Sequence, residues 1–118
     1  MELVSAYDLL PSLCDIADTE VPERNLCGRS YKLLATGKRL PKKQPWRTTV
    51  FSYYKNTEMA RVERYKLVWR NGGKGPNELY DLMADAEERT NQIDNEQFVS
   101  VKTTLAGELE DWKKKYSA

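Results

Sequence analysis

Apolar residues recur at helical spacing towards both ends of the chain and alternate with polar ones in its middle. Near the start, Leu3, Tyr7, Leu10, Leu13, Cys14 and Ala17 follow one another at helical intervals. That spacing predicts an amphipathic helix over 2–18, with Pro11 as a kink or an early stop. A polar connector punctuated by Pro22 and Gly28 follows, and residues 29–36 fit either a strand or a helix ended by Gly37. Residues 48–55 (TTVFSYYK) are β-branched and aromatic, a strand composition. In 62–70 (VERYKLVWR), Tyr65, Leu67 and Trp69 point one way and Arg64, Lys66 and Arg70 the other, with Val68 between them. The two segments predict a hairpin around 48–70, turning at 56–60. A helix from Asn56 to Arg70, capped by Asn56 and stopped by NGG, competes with it. The strand is preferred because it sorts the bases cleanly onto one face.

The last third predicts two helices. Asn77, after Pro76, is placed to cap a helix over 78–91 with Leu79, Leu82, Met83 and Ala86 on one face. Asp94 with Gln97 has the form of a capping box. Beyond it Phe98, Val101, Leu105, Leu109, Trp112 and Tyr116 make one stripe, closed by Lys113, Lys114 and Lys115 where a helix C-terminus favours cations. The fold class expected is α+β: an N-terminal helix, a small antiparallel β-sheet and two C-terminal helices, in a single domain over 1–118. The stripe from Phe98 to Tyr116 is longer than a small sheet needs to cover, which predicts a homodimer or larger assembly.

Charge alters the picture. The 118 residues carry a formal net charge of only +1, but that charge is segregated. The acidic N-terminal segment 1–27 holds six acids and one base, for −5. The middle, 28–74, holds thirteen bases and two acids, for +11. The helical segment 75–118 holds ten acids and five bases, again −5. Such asymmetry points to a polyanionic partner. The competing explanation is pairing of the acidic ends with the basic middle, within the molecule or across a dimer. Surface ion pairs are worth only about 0–1 kcal/mol each, so fold stability alone gives little reason for eleven net charges in one segment.

The chain has no histidine, which removes Ser-His-Asp and Cys-His nucleophile pairs. Two cysteines, Cys14 and Cys27, cannot close a four-ligand zinc site, and reduced thiols are expected of them. No metal, cofactor or catalytic residue is expected, and the acidic pairs read as solvated helix faces. VWRNGGKGPNELYD has a strand, a Gly-rich turn and a following helix start, but Lys74 precedes Gly75 and Pro76 where a Walker A loop needs Ser or Thr. The basic loop GKRLPKKQPWR (37–47) and the polar strand face remain. They predict a non-catalytic protein that binds RNA or DNA, with RNA or single strands favoured and a packaging or coat-type assembly subunit as one version. Its contacts would be Lys38, Arg39, Lys42, Lys43, Arg47, Arg64, Lys66, Arg70 and Lys74 to phosphate, with Trp46 and Tyr54 stacking on bases. The alternative is a small interaction module or inhibitor whose basic face docks on an acidic protein. The opening MELVSAYDLL lacks a basic signal-peptide start. No apolar run approaches the roughly 18–20 residues of a membrane span. A cytoplasmic protein without membrane contact is expected, or a nuclear one in a eukaryote.

Overall fold

The computed structural model describes residues 2–116 and divides into two compact units, one within 2–47 and one beginning at Thr48. In the second unit four strands form an antiparallel sheet in the order β1-β2-β3-β4: β1 Val50–Tyr54, β2 Thr57–Arg61, β3 Tyr65–Arg70 and β4 Glu78–Asp81. Phe51, Ala60, Leu67 and Leu79 pair across them in one row. Alternation puts that row on a single face. Leu105 and Leu109 of a long C-terminal helix complete the core over it. Phe51 stacks on Trp112 with ring centroids 5.3 Å apart, and Tyr65 meets Phe98 edge-on at 6.0 Å.

The α+β class and the strand at 65–70 are as the sequence implies, with Tyr65, Leu67 and Trp69 sharing the core-facing side. Three expectations are corrected. Residues 57–61 form a strand of their own, paired on both sides, and the turn is only Lys55-Asn56, with Lys55 left-handed at φ 56°. No helix spans 78–91: β4 pairs with β3 instead, and side chains then hold the backbone in turns. Asp81 accepts from the N–H groups of Met83 and Ala84, and Asp85 from those of Arg89 and Thr90. Local bonds of this kind compete directly with helical ones. The C-terminal part is therefore one long helix, Val99–Tyr116, preceded by a 3-10 turn that Asn95 caps through the N–H of Gln97. The cap lies one residue past the predicted Asp94. The apolar stripe of this helix packs on its own sheet, which removes the reason for expecting a homodimer.

The first unit is built differently. A 3-10 turn, Ala6–Asp8, leads into α1, Leu9–Ile16. Pro11 lies in the first turn of α1, where its missing N–H costs no helical bond. A single-turn helix, α2, covers Lys32–Ala35. Gly37, at φ 68°, closes α2 by donating to Leu34 O while Lys38 N donates to Leu33 O, the double bond of a Schellman ending. Gly28 crosses the 3-10 turn so closely that a Cβ there would lie 1.8 Å from the carbonyl oxygen of Tyr7. Only glycine fits this crossing. The apolar side of α1 is turned outward: Leu9, Leu13 and Ile16 are 51, 53 and 58 % exposed, while Asp8 and Ser12 are fully buried.

Candidate functional site

The inverted burial of α1 has an electrostatic cause. Asp8 has one carboxylate and four donors. Ser5 N donates to Oδ2 and Arg29 N to Oδ1, each at 2.8 Å, and the Arg47 guanidinium grips both oxygens at 2.5 and 2.6 Å. Burial alone would raise the pKa of Asp8; the Arg47 bond and the two backbone N–H groups outweigh it and hold the carboxyl below its usual range. Ser12 extends the tie, its Oγ donating to Asp8 O at 2.6 Å and accepting from Tyr31 N at 3.0 Å. A buried, doubly bonded Arg-carboxylate pair of this kind fixes geometry.

The same region holds the loop 37–47 by its C-terminal end. Arg29 donates to the carbonyls of Pro45 and Gln44 at 2.6 and 2.7 Å. The Arg29 and Arg47 guanidiniums lie over the Trp46 ring at 5.0 and 4.7 Å from its centroid, and Trp46 Nε1 donates to Leu3 O at 2.7 Å. Trp46 and Arg47 are therefore anchors of this loop, not the free base-stacking and phosphate groups expected from the sequence. Lys38, Arg39, Lys42 and Lys43 are exposed, and their side chains carry no hydrogen bond or ion pair among the described residues.

In the second unit the predicted phosphate track is neutralised by its own carboxylates. Arg64 precedes β3 and binds Asp81 at 2.8 Å, Lys66 binds Glu88 at 2.9 Å, and Arg70 binds Glu78. The hydrogen bond from Arg64 lowers the pKa of Asp81. Tyr80 donates to Glu78 at 2.6 Å, and that bond, aided by burial, pushes the phenol up to about 12. These three bases of the middle segment are thus paired with acids of the last third. The Gly-rich turn is also spent internally: Lys74 N and Gly75 N donate to Asn71 O and Arg70 O, and Asn77 accepts from Arg70 N while donating to Gly73 O. Amides used in this way cannot cradle a phosphate, and Asn77 is the clasp of a turn, not a helix cap. Lys74 is exposed, and Tyr54 is exposed with Lys55 Nζ 5.3 Å above its ring. At Gly73 a Cβ would lie 2.7 Å from the Trp69 indole and the backbone is at φ 92°. Gly73→Ala should lower stability by about 1–2 kcal/mol in a denaturant melt.

Among the described residues no group of three or more His, Cys, Asp or Glu could hold a metal. Cys14 and Cys27 are both free thiols. No helix among the described residues is long and apolar enough to cross a membrane. The first unit has an open groove of about 510 Å³ edged by Pro11, Asp15, Arg24 and Ser30. Its carboxylate is already engaged, since Ser30 Oγ donates to Asp15 at 2.6 Å and Lys32 approaches it at 3.5 Å.

A family of known proteins accounts for this architecture. Residues 1–115 match the model of the N-sulphoglucosamine sulphohydrolase C-terminal family, and the chain belongs to that family. No curated protein matches the sequence. Among solved structures, a 2-O GAG sulfatase is 29% identical with a TM-score of 0.73, over 92% of this chain and 24% of its own. A protein solved in complex with its substrate D-glucosamine-2-N,6-O-disulfate is 25% identical with a TM-score of 0.74, over the same shares. The phosphonate monoester hydrolase of Agrobacterium radiobacter, 23% identical with a TM-score of 0.77 over 97% of this chain and 25% of its own, shares the fold. The chain spans about a quarter of the length of these structures.

The family match overturns the reading of a non-catalytic RNA- or DNA-binding protein, its packaging or coat-type version and the alternative of an acidic-protein binder. The chain is of an enzyme-domain type. The charge block is real, and folding places five of its thirteen bases, Lys32, Arg47, Arg64, Lys66 and Arg70, in intramolecular ion pairs. Composition and hydrophobic spacing did not bring the family to light; the match over residues 1–115 did.

Proposed function

We propose that this chain is the C-terminal domain of a sulfatase-type hydrolase that releases sulfate from sulfated sugars, and that it acts there as a scaffold. The observation that carries the reading is the family match over residues 1–115. Two solved relatives supply the substrate class, one being a 2-O GAG sulfatase and the other having been solved with a sulfated glucosamine. The exposed apolar side of α1 supports it. Leu9, Leu10, Leu13 and Ile16 form an uncovered hydrophobic strip, the kind of surface that marks an interaction face. A catalytic body, on the same polypeptide or another, would cover that strip and supply the reacting groups.

The test is an antibody against residues 37–47, used to isolate the protein from its source. The isolated material is sized by immunoblot and assayed for sulfate release from glucosamine N-sulfate and 6-O-sulfate. Sulfate release by a polypeptide of sulfatase length, or by this chain together with a catalytic subunit, is the expected result. Recovery of the 13.7 kDa chain alone, with no sulfate release, overturns the reading.

A further inference from the structure

Folding sorts the cations of residues 29–47 into two sets. Arg29, Lys32 and Arg47 are spent on Pro45 and Gln44, on Asp15, and on Asp8. Lys38, Arg39, Lys42 and Lys43 are left without side-chain partners among the described residues. The second set lies between two fixed points. At one end is the Schellman closure at Gly37 and Lys38; at the other is the anchorage of Gln44 to Arg47. Between them Gln44 N donates to Pro41 O at 2.9 Å, so Lys42 and Lys43 occupy the two central positions of a tight turn, its most projecting part. Two acids of this unit, Asp8 and Asp15, are matched by other cations, Arg47 and Lys32. Four ammonium and guanidinium groups therefore share one held loop and have no ion-pair partner among the described residues.

Resting on the sulfated-sugar reading above, we infer that loop 37–47 is a binding surface for the sulfate groups of a polysulfated saccharide chain, through Lys38, Arg39, Lys42 and Lys43. A sulfate ester or N-sulfate spreads one negative charge over three oxygens. It is well served by separate point-charge donors such as lysine, and by an arginine able to donate two aligned bonds. Single-stranded nucleic acid asks for more, namely aromatic faces beside the cations. The one aromatic side chain of this loop, Trp46, already lies under two guanidiniums with its N–H bonded. The loop thus offers charge without a stacking platform. Its role is to hold a polymeric substrate by sulfates other than the one removed.

The experiment is an anisotropy titration of the full 118-residue chain at several salt concentrations. Three labelled probes are used: a heparin-derived decasaccharide, the same oligosaccharide chemically desulfated, and an RNA oligomer of equal charge. The sulfated probe should bind, with a log–log salt slope of roughly three, as expected of about four released counterions. The desulfated probe should not bind, and RNA should bind at least about tenfold more weakly. Lys42→Gln with Lys43→Gln should cost the sulfated probe about tenfold or more in Kd with an unchanged melting temperature. The pair Lys102→Gln with Lys114→Gln, on the C-terminal helix, should change Kd less than twofold. Equal binding of RNA, no binding of the sulfated probe, or an unchanged Kd in the loop variant each overturns the assignment. The titration involves no hydrolysis, so such a failure leaves the sulfatase reading standing; that reading falls only in the sulfate-release assay.

Discussion

Asp8→Ala is expected to destabilise residues 2–47 by about 3–5 kcal/mol, because it strands the Arg47 guanidinium with its buried partner gone. Two backbone donors, Ser5 N and Arg29 N, lose their acceptor in the same change. Hydrogen exchange monitored by NMR would show it as loss of protection at the amides of α1 and α2. Retained protection there would mean that the carboxylate is not what holds the crossing of the chain at Gly28. Acid should act in the same direction. The folded pKa of Asp8 is depressed, so its contribution is fully present above the unfolded value of about 3.9 and is lost as pH falls through the folded value. Asp8→Asn should flatten that part of the acid titration, and an unchanged acid limb would assign it to another carboxylate.

Two leucines at helical spacing, Leu109 and Leu13, should behave in opposite ways. Leu109 is 1 % exposed and belongs to the core of the sheet unit. Leu109→Ala should cost about 3 kcal/mol, the usual scale for emptying a leucine site. Leu13, on the outward side of α1, should cost no more than about 0.5 kcal/mol when changed to alanine in this chain. Urea melts of both variants test the contrast. Equal losses would show that the outward strip is buried in solution, by a second copy or by the rest of an enzyme.

Periodicity served where one element packs on one neighbour. The stripe from Phe98 to Tyr116 and the alternation in 65–70 needed only their own spacing to be read, and both found the faces assigned to them. It failed at 78–81, whose helix propensity was overridden by an open edge of β3, and by Asp81 and Asp85 turning the chain afterwards. It failed again at α1, where the apolar spacing is genuine but faces outward. A pattern reports which side of a helix is apolar; it does not report whether the covering partner lies in the same 118 residues.

The candidate site was legible only in part. Lys38, Arg39, Lys42 and Lys43 stand out in the sequence and have no ion-pair partner among the described residues; no acid lies within ten residues of the loop along the chain, and Asp8 is taken by Arg47. Arg64, Lys66 and Arg70 look equivalent in sequence and are not. Their partners, Asp81, Glu88 and Glu78, lie 8 to 22 residues away and arrive only when β4 and its following turns assemble.

The sequence by itself determined the α+β class, the long C-terminal helix, the lack of histidine in these 118 residues and the excess of positive charge in the middle. These are properties of composition and local spacing. Tertiary structure decided which charges are cancelled and which are left to act, and which apolar face lacks a cover. Coulombic pairing and burial depend on distances in space, and those are set by the packing of segments far apart in the chain.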